Sequence, residues 1–312
     1  MPEESIINKV KKEVHKVIVG KDDIIEYILI AIIARGHVLL EGVPGIAKTK
    51  LANTLAKILD LDFKRIQFTP DLLPSDITGT MIYNMSTREF DLKKGPIFTN
   101  LLLGDEINRA SPKTQSALLE CMQERQVTIG NETNKLAAPF IVLATQNPLE
   151  MEGVYPLPEA QIDRFLFKLN VCYPTKEEEI SLIKSRSYEE EGTNKIFSAE
   201  QIIAAGKLAA NIQITDEILN YIVTIVTATR NNQNIHLGAS PRASIAFLET
   251  AKVMALFEGR SFVIPDDIKK LAFPILRHRI ILSSEAEMAE INPDQLISDI
   301  LKTIPVPKEL NA

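Results

Sequence analysis

The chain has 312 residues, 45% hydrophobic and 24% charged, with a formal net charge of −6. These are the proportions of an ordinary soluble protein, long enough for a large core and two domains, and the acidic balance argues against a nonspecific nucleic-acid binder with its basic stripe. Two distant cysteines, Cys121 and Cys172, and four scattered histidines exclude a disulfide framework and give no metal-ligand spacing.

The first residues, Met1-Pro2-Glu3-Glu4, are acidic, and no apolar stretch with a cleavage site follows. A cytoplasmic location is therefore expected. Ile6, Val10, Val14 and Val17 recur at helical spacing, with Lys9, Lys11, Lys12 and Lys16 on the solvated face. The apolar run from Tyr27 to Ala34 is far shorter than the roughly 20 residues a membrane span needs, so it reads as a buried helix without membrane insertion.

His37-Val38-Leu39-Leu40 reads as a strand, and Gly42-Val43-Pro44-Gly45-Ile46-Ala47-Lys48-Thr49 carries it into a helix. Strand, glycine loop, lysine, hydroxyl and helix together form a phosphate cradle. Backbone N–H groups and the helix N-terminus face phosphate oxygens, Lys48 reaches the terminal phosphates, and the Thr49 hydroxyl binds Mg²⁺. Ala47 stands where glycine is usual; because it lies where the loop becomes helix, its φ is expected to be helical already, whereas Gly42 and Gly45 turn the chain.

Phe63 to Phe68 is the second strand. In the long segment after it, Met81-Ile82-Tyr83 and Phe90-Asp91-Leu92 flank a polar turn over 84–89, which predicts a hairpin. The third strand, Leu101 to Gly104, ends in Asp105 and Glu106. Ligands gather at the carboxyl ends of buried parallel strands, so Asp105 is expected opposite Thr49, holding Mg²⁺ through water, with Glu106 as general base. Ser111 and Pro112 open the next helix as N-cap and first residue. A second hairpin runs through Val127-Thr128-Ile129, around Gly130-Asn131, and out at Lys135-Leu136, on the same side of the core as the first.

The fourth strand, Ile141 to Ala144, leads to Thr145-Gln146-Asn147-Pro148, which places Asn147 to fix a water between Glu106 and the γ-phosphate. Arg164 precedes the fifth strand, Phe165 to Val171, and beside Asp163 it also reads as a surface ion pair. After Tyr173-Pro174 the pattern turns helical. Helices are predicted over Glu177 to Ser187, after the capping box Ser198-Ala199-Glu200-Gln201, and from Thr215, Ser240 and Pro265, the last ended or kinked by Pro274. The tail from Ile304 is expected to fray. Arg242 sits in the first turn after Ser240-Pro241, where the helix dipole disfavours a cation, and a bound anion would remove that conflict.

These residues resemble the MoxR family of AAA+ ATPases over nearly the whole sequence, from Val17-Ile18-Val19-Gly20-Lys21 to Arg277-His278-Arg279. The most specific stretch is Asp105-Glu106-Ile107-Asn108-Arg109-Ala110, continuing through Pro112-Lys113-Thr114-Gln115 to Met122-Gln123-Glu124-Arg125. Similar too are Leu73-Pro74-Ser75-Asp76, Gly95-Pro96-Ile97-Phe98, Asp163-Arg164-Phe165 and Gly238-Ala239-Ser240-Pro241-Arg242, and Ala47 is frequent in such loops. The resemblance implies an α/β fold: an AAA+ P-loop core over 1–174, with a five-stranded parallel sheet between helices and an insert in helix 2, then an all-α lid over 175–312. It implies ATP and Mg²⁺ as ligands, Gly42 to Thr49 as Walker A, Asp105 and Glu106 as Walker B, and Asn147 as sensor 1. Arg164 would be the arginine finger, with Arg109 also near the nucleotide end of the sheet, Arg242 would be sensor 2, and Val19 and Gly20 would lie near the adenine.

The expected activity is ATP hydrolysis coupled to chaperone-like remodelling or maturation of a partner protein by a homo-oligomeric ring, a hexamer in such assemblies, with hairpins facing the channel. ATP is expected between core and lid with Arg242 on its phosphates and Arg164 supplied by a neighbour. The implied partners are a client or a protein with a von Willebrand factor A domain. The alternatives are a nucleic-acid motor related to replicative helicases, against which the nearly neutral hairpin tip 84–89 and the absence of a further domain speak, and a magnesium-chelatase-like subunit for metal insertion.

Overall fold

The computed structural model describes residues 6–43, 45–148, 153–185 and 192–307. The acidic start, Pro44 of the loop, Ser187 and the last five residues of the tail lie outside the described residues. Helices α1 (Ile6–Val14) and α2 (Asp22–Ile33) lead into β1 (Val38–Glu41), and α3 (Lys48–Ile58) carries the chain to β2 (Phe63–Gln67). The short α4 (Pro74–Thr78) enters a hairpin of β3 (Gly79–Asn84) and β4 (Glu89–Lys94). Then follow β5 (Leu101–Asp105), α5 (Pro112–Glu124), a second hairpin of β6 (Gln126–Ile129) and β7 (Glu132–Lys135), β8 (Ile141–Gln146), α6 (Glu159–Ile162) and β9 (Phe167–Asn170).

Five strands form one parallel sheet in the order β2-β5-β8-β1-β9. Side chains alternate between its faces, and in β1, β5 and β8 both faces are buried, which is why those strands read as apolar runs, whereas β2 exposes Lys64, Arg65 and Gln67. Val38, Leu40, Leu103 and Leu143 face one core with α2 and α3, while Leu39, Leu102, Val142 and Ala144 face another with Phe68, Leu118 and Phe165. The two hairpins stand side by side as expected; a Cβ built on Gly130 would lie 3.7 Å from Met81 Cγ.

The second half folds as α7 (Lys176–Ser185), α8 (Ala199–Ala210), α9 (Asp216–Arg230), β10 (Ile235–Leu237), α10 (Pro241–Phe257), α11 (Pro265–Leu276), β11 (Ile281–Leu282), α12 (Ser284–Met288) and α13 (Pro293–Thr303). The predicted caps form: Ser198 Oγ accepts from Gln201 N while Gln201 Oε1 accepts from Ser198 N at 2.9 Å, and Thr215 and Ser240 cap α9 and α10. One feature was too short for periodicity to register, because β10 and β11 pair antiparallel inside the otherwise helical half. α11 ends at Leu276, just past Pro274. Ile304, expected to fray, is buried in the core.

The placement of these helices differs from expectation. The core cluster that includes α2 takes in Ile202, Ala246, Phe247 and Leu271; α8 and α10 pack on α2, and α11 packs on α10 and β9. The cause is apolar area: α2 is buried along most of its length, and these helices cover it.

No described helix is long and apolar enough to cross a membrane.

Candidate functional site

The sheet register sets the site. Leu40 pairs with Thr145, Glu41 with Gln146, Gly104 with Ala144, and Gln67 with Asp105, so the carboxyl ends of β2, β5, β8 and β1 finish in one row. The glycine loop leaves β1 at that row. Gly42 N donates to Gln146 O at 3.2 Å, and a Cβ on Gly42 would stand 2.5 Å from Val171 O, which only glycine tolerates. Gly45 has a φ of +84°, with open space where a Cβ would be. Lys48 opens α3 and donates through Nζ to Gly42 O at 2.7 Å, curling back over its own loop. Burial lowers the pKa of its ammonium, and the nearby Asp105 and Glu106 carboxylates oppose that shift. Thr49 lies in the first turn of the same helix.

Ala47 corrects an expectation. It is not helical but left-handed, with a φ of 62° and a ψ of 23°, as residue before the helix. The loop must alternate its backbone here to aim successive N–H groups inward, and alanine pays about 1–2 kcal/mol for that geometry. Ala47→Gly is expected to raise stability by about 0.5–1 kcal/mol after glycine's chain-entropy cost, seen as a higher denaturation midpoint. A lower midpoint would show that the methyl is packed.

Asp105 ends β5. Its Oδ1 accepts from Thr145 Oγ1 at 2.6 Å, and its Oδ2 accepts from Arg65 Nη2 at 2.7 Å and Nε at 3.2 Å. Glu106 follows with a φ of 58°, a left-handed conformation a non-glycine residue seldom holds, and its N–H donates to Thr145 Oγ1 at 2.9 Å. Its Oε2 accepts from Gln67 Nε2 at 2.8 Å and Arg109 Nη1 at 3.0 Å. Asn147, buried, follows the end of β8. Thus Lys48, Thr49, Asp105, Glu106 and Asn147 are brought to one edge.

Three residues that sequence reasoning passed over hold the acids in place: Arg65, Gln67 and Thr145. Thr145 was signalled by a polar side chain near the end of the apolar β8, whereas Arg65 and Gln67 belong to the polar strand β2 and carried no such signal. The donor set fits a hydrated divalent cation and a polyphosphate: oxygen donors at Thr49 and Asp105, and a cradle kept open by glycine. Arg65 has to release Asp105 Oδ2 for that, and its side chain, 46% exposed, can swing into water at little cost.

Next to the loop opens a cleft of 480 Å³ walled by Val17, Ile18, Val19, Val171, Tyr173 and Ile183, an apolar slot beside a phosphate cradle. Gly20 stands beside the slot against Glu178 of α7, whose carboxylate would collide with any Cβ there.

Arg164 and Arg242 are elsewhere. Both line a second cleft, of 430 Å³, with Gly36 and His37 at the opposite ends of the strands. From His37 to Gly42 the chain advances roughly 16 Å at the rise of a strand. The expected contact of Arg242 with phosphates held by its own chain is therefore not formed, because the lid helices cover α2 instead. Arg35 and Arg125 line the same cleft, against the acids Asp163 and Glu249. Arg164 does not form the simple pair with Asp163: its Nη1 donates to Leu119 O at 3.4 Å, and Asp163 pairs with Arg279 and Arg242. The Asp163 carboxylate also supplies the anion that the first turn of α10 called for. Arg109, beside Glu106, stays at the nucleotide edge.

The family described as "ATPase family associated with various cellular activities (AAA)" matches residues 37–167, and the "AAA lid domain" matches residues 227–300. Bacillus subtilis YeaC is 48% identical over 98% of this chain and 97% of its own. Mycobacterium tuberculosis "Chaperone MoxR1" is 46% identical over 95% of this chain and 81% of its own. A solved structure of a Cytophaga hutchinsonii protein, 49% identical, superposes with a TM-score of 0.90 over 97% of this chain and 96% of its own.

Proposed function

Because the chain belongs to the MoxR family of AAA+ ATPases, we propose that it binds ATP at the Gly42 to Thr49 loop and hydrolyses it, coupling the cycle to chaperone-like remodelling or maturation of a partner protein. The observation that carries this reading is the single row of strand ends that sets Lys48, Asp105 and Glu106 around one phosphate cradle.

The residue roles follow from that row. Backbone N–H groups of the loop and Lys48 bind the phosphates, and the apolar slot at Val17 to Val19 accepts the base. The Thr49 hydroxyl and the Asp105 carboxylate would hold Mg²⁺, whose chemistry there is to neutralise charge on the phosphate oxygens. Glu106, once free of Gln67 and Arg109, takes a proton from the attacking water, and Asn147 orients that water. Arg164 and Arg242, too far from the loop of their own chain, stabilise charge on the triphosphate of an adjoining copy in a homo-oligomeric ring, with six copies as the working number.

We take residues 1–174 as the core and 175–312 as the lid, with α7 walling the base slot, and cytoplasmic residence as the working location. The hairpin β3–β4 is the working element toward a client or a von Willebrand factor A domain partner: Ile82, Tyr83, Met85 and Phe90 are exposed on it, and its tip is nearly neutral. That apolar surface favours a protein partner over nucleic acid.

Calorimetry with ATP and Mg²⁺ tests the premise, with saturable uptake expected and phosphate release unchanged by added DNA. Absence of uptake removes every role assigned above, and DNA stimulation with steep salt dependence would replace the remodeller by a motor.

A further inference from the structure

Asp163 is the hub of the second cleft. Its side chain is 17% exposed, its Oδ1 accepts from Arg279 Nε at 2.8 Å, and its Oδ2 accepts from Ser240 Oγ at 2.9 Å and Arg242 Nη1 at 3.4 Å. Ser240 Oγ also accepts from Arg242 N at 3.2 Å, so the cap of α10 is tied to the same carboxylate. Arg279, its side chain only 3% exposed, spends its other N–H groups on carbonyls: Phe165 O at 2.6 Å, Leu166 O at 3.1 Å, Asp163 O at 3.2 Å and Ile275 O at 2.6 Å. One planar fork thus joins the two residues just before β9, the residue before Arg164, and α11 of the lid.

We propose that Asp163 and Arg279 are the positioning pair of the arginine face, holding Arg164 and Arg242 at one fixed spacing toward the triphosphate of an adjoining copy. The inference rests on the reading that those two arginines act in trans. Arg164 comes from the core and Arg242 from the lid. Nothing in either element's own backbone fixes their mutual distance, whereas the carboxylate touches the Arg242 guanidinium and neighbours Arg164 in the chain. A guanidinium is needed at position 279 because an ammonium cannot reach five acceptors spread over two elements. Neither Asp163 nor Arg279 touches the phosphates; both act through the two exposed arginines.

The test uses full-length Asp163→Asn and Arg279→Lys, assayed alone and mixed with Glu106→Gln. Each variant alone is expected to bind ATP with Mg²⁺ within twofold of the parent, because the loop lies at the other end of the sheet, and to lose tenfold or more in kcat with KM little changed. Mixed with Glu106→Gln, each should regain turnover, since its intact loop then meets an intact arginine face on the neighbour. Arg164→Ala with Glu106→Gln is the control. If that control is restored and the Asp163→Asn and Arg279→Lys mixtures are not, the positioning role is overturned while the trans reading stands. If the control itself is not restored, the trans reading fails and this inference falls with it. Parental kcat in both variants, or loss of ATP binding in both, also overturns it.

Discussion

Glu106→Gln binds ATP and Mg²⁺ as the parent does and loses about 10²–10⁴-fold in turnover, the range general acid–base catalysis supplies. The reasons are local. The left-handed turn at Glu106, with a φ of 58°, aims its carboxylate off the end of β5, and the hydrogen bond from its N–H to Thr145 Oγ1 fixes that turn. Glutamine fits the same backbone and accepts the same donors, Gln67 Nε2 and Arg109 Nη1, through its amide oxygen. It cannot take a proton from water. Binding should be spared because the loop holds the phosphates through Lys48 and backbone N–H groups. Single-turnover hydrolysis beside a calorimetric isotherm separates the two effects. A variant that turns over at the parental rate would remove Glu106 as the base, and one that loses binding would make it a structural residue.

The edge that carries these groups could be read from the chain because it rests on few local rules. Apolar runs buried on both faces give parallel strands, and polar residues at the carboxyl ends of such strands mark the ligand side. Asp105, Glu106 and Asn147 each follow such a run. What could not be read depends on contacts between distant segments. Ala47 looks helical from its neighbours, yet it is left-handed, with a φ of 62°, where the loop enters α3. Asp163 beside Arg164 looks like a local ion pair; the partner it takes is Arg279, over a hundred positions on. The lid helices carry clear caps and periodicity, but nothing in those patterns says which core surface they cover, and it is the apolar length of α2 that decides it. Arg242 moved with them, from an expected place over the phosphates to the far end of the sheet.

That displacement sharpens what is expected of Arg164→Ala. An arginine on the chain's own phosphates would act at any dilution, whereas one at the amino ends of the strands, roughly 16 Å from the loop, acts only when two copies meet. Specific activity of the parent is therefore expected to rise with protein concentration through the assembly range. Arg164→Ala should fall by about 10³–10⁵-fold, or roughly 4–7 kcal/mol of transition-state stabilisation, while binding ATP normally. Arg35 and Arg125 remain in the same cleft of 430 Å³ and could attract phosphate, but Arg125 donates to Arg35 O at 2.9 Å and is turned toward its own chain. They should not rescue the loss. Phosphate release measured against concentration, for the parent and for Arg164→Ala, decides the matter. A flat parental curve means each copy works alone, and a variant as fast as the parent means that the charge on the transferring phosphoryl group is met by some other cation.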